Sequence, residues 1–143
     1  PSSYPDSFWI ERMNDSLQQE LLAESVVTFN DFNKEKIEIE QLFQHLSYYF
    51  PEYTLPRVIT TTSSVDYRNK VIVTDTIVLV SVDTYLGSDH KFYEGIQKYL
   101  KQNFDRDQIV VDIAASYGEK YSYQLQRKTF LDEILKKQAT DKK

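Results

Sequence analysis

Cysteine is absent from the chain, which excludes disulfides, thiolate metal ligands and thiol nucleophiles. Only three glycines and four prolines occur in 143 residues, too few for a collagen-like or low-complexity chain. No apolar run approaches the ~20 residues that span a bilayer. The longest, Ile77-Val78-Leu79-Val80-Ser81-Val82, has the length of a strand. Positive charge is also scarce: a net charge of −5 and a pI near 5.0 leave no electrostatic footprint for nucleic acid. There are two histidines, His45 and His90, and neither has companions at the spacing of a metal site. Phosphate loops, zinc-ligand spacings, EF-hand loops and a G-x-S-x-G nucleophile elbow are all missing.

What remains is 41% hydrophobic, 14% aromatic and 27% charged, enough for a real core in a chain of this size. Nothing divides residues 1–143, so a single domain is expected. The chain opens at Pro1 without a basic-then-apolar leader, which is read as a boundary placed after a removed leader.

The first segment has helical spacing from Asp6 to Glu24, with Asp6 as N-cap and a stripe of Trp9, Met13, Leu17 and Leu21. A second helix is expected from Asn30 or Asp31 to Tyr49, burying Ile39, Leu42, Phe43, Leu46 and Phe50. Pro51 and Pro56 bracket a turn. The period then falls to two over Val58, Thr60 and Thr62, and Val71–Val73 and Thr76–Val82 read as further strands. Tight turns at Asp66–Asn69 and Thr74-Asp75 predict an antiparallel meander. The third strand is apolar at nearly every position, so it belongs in the centre of the sheet. Helices are expected from His90 to Gln102, capped by Asp89, and from Arg106 to Tyr121, capped by Asp105. A last one is expected from Arg127 to Lys137. The fold class is α+β: two N-terminal helices, a small antiparallel three-stranded sheet, then three helices.

His45, beside the Leu42/Leu46 face, reads as a half-buried hydrogen-bonded residue, and His90 as a first-turn residue near Asp89. The eleven tyrosines suit either a core poor in Leu and Met or a contact surface for protein, peptide or glycan. Asp83, Ser88 and Asp89 place oxygen donors at short spacing, without the ligand density that Ca²⁺ requires. Gly87 is expected at positive φ where strand gives way to helix. Residues 1–118 hold 10 basic and 18 acidic side chains, whereas 119–143 hold 7 and 4.

The run Val80-Ser81-Val82-Asp83-Thr84-Tyr85-Leu86-Gly87-Ser88-Asp89-His90-Lys91-Phe92-Tyr93 resembles the strand, Leu-Asp-x-Tyr-Leu-Gly turn and following helix of the GldB family, gliding-motility lipoproteins of Bacteroidetes and their relatives. Asp83, Tyr85, Leu86, Gly87, Asp89 and Tyr93 carry the match. Phe50-Pro51 through Thr60 is similar to that family's entry into its sheet, and Thr129 to Ile134 to the start of a later helix. Val82 stands where the family motif has Leu. Family members continue past the position of Lys143, so the chain is expected to be a short or truncated member lacking a C-terminal helical part.

The resemblance implies a periplasm-facing, membrane-anchored lipoprotein of the cell envelope whose lipid anchor has been removed. Its partners would be envelope proteins of a surface machinery. The resemblance also implies an architecture similar to zincin-type metalloproteases, whose helix carries H-E-x-x-H. The matching window here, Asp112-Ile113-Ala114-Ala115-Ser116, has neither His nor Glu, and no histidine follows His90. The expectation is therefore no catalytic residue, no metal and no cofactor, with a groove between a sheet edge and the Arg106–Tyr121 helix free to bind a partner. Asp112 and Tyr117 on that helix join the motif residues as candidate partner-binding or structural positions. A hydrolase derived from the metalloprotease fold and a peptide- or glycan-binding module are the alternatives.

Overall fold

The computed structural model describes residues 4–122. The expected helix at 127–137 and the residues that follow it lie outside them. The first predicted helix is two: α1, Asp6–Asn14, and α2, Ser16–Thr28. The break falls at Asp15, whose carboxylate accepts the Leu17 amide at 2.9 Å and so starts α2 as its N-cap. α1 begins after Pro5 and has no side-chain cap at Asp6. The bend spoils the expected stripe. Leu21 is buried with Ser25 on α2, but Trp9, Met13 and Leu17 are exposed.

α3, Asn33–Tyr49, follows its periodicity: Ile39 and Phe43 are buried and Leu42 and Leu46 pack beside them. The strands β1 (Arg57–Thr61), β2 (Val71–Val73) and β3 (Ile77–Ser81) form a sheet in the order β1-β3-β2. β3 is central, as its composition predicts. The meander is not. β1 runs parallel to β3, Arg57 opposite Ile77 and Thr61 opposite Ser81, and only β2 is antiparallel to β3. The physical reason lies in the connections. The Thr74–Thr76 turn closes tightly through the Thr74 hydroxyl, so β2 and β3 pair as a hairpin. The stretch between β1 and β2 is long enough to cross β3 and deliver β2 to its far edge, leaving β1 alongside β3 in the same direction.

After β3 the chain makes a 3-10 turn at Val82–Thr84, another at Lys91–Tyr93, and a short α4 at Lys98–Lys101. The single helix expected from His90 to Gln102 is thus broken into pieces. Gly95, at φ 83°, ends helical geometry midway. Its expected cap also differs: His90 Nδ1, not Asp89, accepts the Phe92 amide, at 3.4 Å. Asp89 is exposed. α5 covers residues 108–122 of the described chain and buries Ile109, Ile113 and Tyr117, with Tyr121 packed beside them. It starts slightly later than predicted, and Asp105 serves elsewhere: its carboxylate accepts the Ser88 amide at 3.2 Å.

The core lies between the sheet, α3 and α5, built on Val78 and Val80 of β3 with Ile39, Phe43, Ile109 and Ile113. An ion pair, buried on its carboxylate side, closes one end. Glu35, 2% exposed, faces the Arg106 guanidinium at 2.8 and 2.9 Å, and the same guanidinium donates to the Thr28 and Asp31 carbonyls. One side chain thereby ties the α2–α3 loop, α3 and the approach to α5 together.

Candidate functional site

The motif residues gather where β3 ends, and the structure assigns each a partner. The Asp83 side chain is fully buried. It accepts the Ser63 amide at 3.0 and 3.1 Å and the Val65 amide at 2.7 Å. Ser64 and Val65 both sit at positive φ, 59° and 58°, and the amides on either side of Ser64's own converge on one carboxylate, much as a backbone nest holds an anion. The oxygen cluster considered for a cation is therefore not one: Asp83 is spent on the β1–β2 loop.

Tyr93 is buried beneath the same turn. Its hydroxyl donates to the Asp83 carbonyl at 2.6 Å and accepts the Leu86 amide at 3.0 Å. Gly87 takes φ 113°, as expected, and its amide donates to the Phe104 carbonyl at 2.9 Å. Tyr85 is fully buried and donates to Asp112 Oδ2 at 2.7 Å. Lys70 Nζ reaches that oxygen at 2.6 Å, lies 4.6 Å from the Tyr85 ring centre, and donates to the Asn103 carbonyl. Burial, then the Asp112 carboxylate, pushes the Tyr85 hydroxyl far above its ordinary range. Burial does the same for Tyr93. Both are neutral hydrogen-bond donors.

Asp112 is thus bonded to both Tyr85 and Lys70. It pins α5 to the turn after β3 and to Lys70 before β2. Tyr117 is apart from this cluster, edge-on to Phe43 and beside Tyr53 and Tyr121. The buried Tyr53 hydroxyl has no hydrogen-bond partner among the described residues. Tyr85, Tyr93 and Tyr117 are core residues, while Tyr48, Tyr49 and Tyr99 are exposed. His45 is exposed rather than half-buried, with Nδ1 2.8 Å from the Gln41 carbonyl. His90 is half-buried, with Nε2 3.6 Å from Glu24. Among the described residues, no three His, Asp or Glu side chains converge as a metal would require.

Two of the hollows among the described residues reach core side chains. One, of about 550 Å³, is lined by Phe50, Tyr53, Tyr117 and Tyr121, with an Asp75–Lys120 ion pair at its side. The larger, about 980 Å³, is a groove between α3 and β1, where Phe32, Ile39 and Phe43 face Val58 and Thr60. The Arg106–Tyr121 helix, expected to wall a groove beside the sheet, lines the smaller hollow through Tyr117, Lys120 and Tyr121 next to the Thr74-Asp75 turn, whereas the larger groove along the β1 edge is walled by α3. Nothing in the described fold supports the zincin resemblance.

Sequence reasoning missed Lys70, Ser63, Val65 and the Glu35–Arg106 pair. One signal was present for Glu35, which lies four residues before Ile39 and so on the apolar stripe of α3. No helix among the described residues is long and apolar enough to cross a membrane. No curated protein and no solved structure matches the chain. The family model for the gliding motility protein GldB, a lipoprotein family, matches residues 2–138, and the chain belongs to that family.

Proposed function

We propose that the chain is a non-catalytic, periplasm-facing component of the cell envelope that binds protein partners of a gliding-motility or related surface machinery. One observation carries this reading. Three polar side chains of the family motif, Asp83, Tyr85 and Tyr93, together with Asp112 of α5, are consumed by internal hydrogen bonds, and of the motif's polar side chains Asp89 is exposed, while a large, mainly apolar groove stays open between α3 and β1. A buried, fully partnered cluster supports rigidity, and an open apolar groove supports recognition. A photo-crosslinking side chain at Gln44, on the groove wall, should capture envelope proteins that the same group at exposed Tyr99 does not. Equal capture at both sites, or turnover of casein or a peptide library that alanine at Asp112 abolishes, would displace this reading. A second reading, glycan or peptide binding, is favoured by the stacked Phe50 and Tyr121 rings, 4.1 Å apart in the smaller hollow. Peptidoglycan fragments that left the Tyr121 resonances unmoved would remove it.

A further inference from the structure

The groove has a property that selects its occupant. β1 is an edge strand, bonded to β3 alone. The Arg57 amide donates to the Thr76 carbonyl at 2.8 Å. Backbone groups alternate sides along a strand, so Arg57, Ile59 and Thr61 address β3, and the amides and carbonyls of Val58 and Thr60 point away from the sheet. Among the described residues nothing pairs with them. The same two residues line the α3–β1 groove. Natural edges are blunted by proline, lysine, a bulge or a covering element. Here Pro56 guards only the approach to the strand, and the edge itself opens under the α3 wall.

Resting on the partner-binding reading, we propose that β1 takes a fourth strand: an extended segment of a partner protein. Its main chain pairs with Val58 and Thr60, and its alternate apolar side chains enter the groove against Phe32, Ile39 and Phe43. Charge identifies the kind of segment. Residues 1–118 carry 10 basic and 18 acidic side chains. Asp31 and Glu40 line the groove against one Lys36. The segment therefore carries basic flanks, and a second copy of this acidic body is disfavoured by like charge.

The test uses the intact chain and the synthetic peptide Lys-Lys-Val-Thr-Val-Thr-Val-Lys-Lys. Saturable binding is expected, with amide exchange slowed at least tenfold at Val58 and Thr60 and unchanged at Ile59. Thr60→Pro removes an outward amide without touching the β1–β3 ladder. It should weaken the peptide at least tenfold at an unchanged melting temperature. The proposal is overturned by undiminished binding to Thr60→Pro, or by equal binding of the peptide with glutamates for lysines. It is equally overturned by protection of both amides in the peptide-free monomer, or by self-association that Thr60→Pro abolishes. Should the peptide fail to bind the parent chain while Gln44 still captures partner proteins, strand addition alone is lost and the partner-binding reading stands.

Discussion

The Asp83 carboxylate and the Val65 amide meet at 2.7 Å across the gap between the end of β3 and the loop that leaves β1. Val65 is β-branched and sits at φ 58°, a left-handed conformation costing roughly 1–2 kcal/mol for such a residue. The charge-assisted bonds from Ser63 and Val65 offset that strain and hold the loop that carries β2 across the sheet. Asp83→Asn keeps the shape but replaces one acceptor oxygen with a donor. It should lower the unfolding free energy by about 2–3 kcal/mol, measured by denaturant titration. A variant within experimental error of the parent would mean that the loop holds itself.

The Glu35–Arg106 pair makes stability depend on acid. Burial pushes the Glu35 carboxyl up, but the Arg106 guanidinium, a backbone amide and nearby positive charge together outweigh it and hold the group below its ordinary 4.5. A depressed carboxyl contributes stability that is complete above the unfolded value and disappears as pH falls through the lower folded value. Arg106→Met should therefore cost about 3 kcal/mol at pH 7, because it strands a buried charge. It should also flatten the acid limb of the melting curve below pH 4.5. Adding Glu35→Gln should return part of the loss. A double variant no more stable than the single would argue against pairing as the cause.

Tyr93→Phe removes one oxygen and takes the partner from two backbone groups, the buried Asp83 carbonyl and the half-buried Leu86 amide. A loss of about 2 kcal/mol is expected. Tyr99→Phe, at an exposed ring, should be neutral. Comparable melting temperatures for the two variants would remove Tyr93 from the turn's support.

Much of this fold could be read from the sequence wherever one element buries one continuous face. The stripes Ile39/Phe43 and Ile109/Ile113/Tyr117 and the apolar β3 lie where periodicity puts them. Errors fell where the chain changes direction. Periodicity continues unbroken across Asp15 and Gly95, so it cannot report the bend at either. Strand direction depends on where the β1–β2 connection travels, which composition does not encode. The site divided in the same way. Gly87 announced its positive φ because a tight turn needs it, but the partners of Asp83 and Asp112 come from distant segments. Lys70 looks like any surface lysine until the fold brings it to Asp112.

Gly87 and Gly118 separate backbone strain from space. A Cβ at Gly87 would meet nothing nearer than Asp105 Oδ1 at 3.9 Å, so φ 113° is the only obstacle. Gly87→Ala should cost about 1–3 kcal/mol, and Gly87→Val more. Gly118 lies within α5 with open space around its missing Cβ. Gly118→Ala should stabilise by about 0.5–1 kcal/mol. Thermal unfolding of the two alanine variants should move in opposite directions, and a stabilised Gly87→Ala would refute the turn geometry.

The α1–α2 bend yields the prediction on which sequence and structure differ most. A single helix would place Met13, Leu17 and Leu21 on one buried face, making each a core residue. The break at Asp15 rotates α2 so that Leu21 is 2% exposed while Met13 and Leu17 are 74% and 55% exposed. Leu21→Ala should then cost about 2–4 kcal/mol through lost packing. Met13→Lys and Leu17→Lys should each stay within about 0.5 kcal/mol of the parent. Three similar losses would restore the unbroken helix, and with it a different path for the chain into α3.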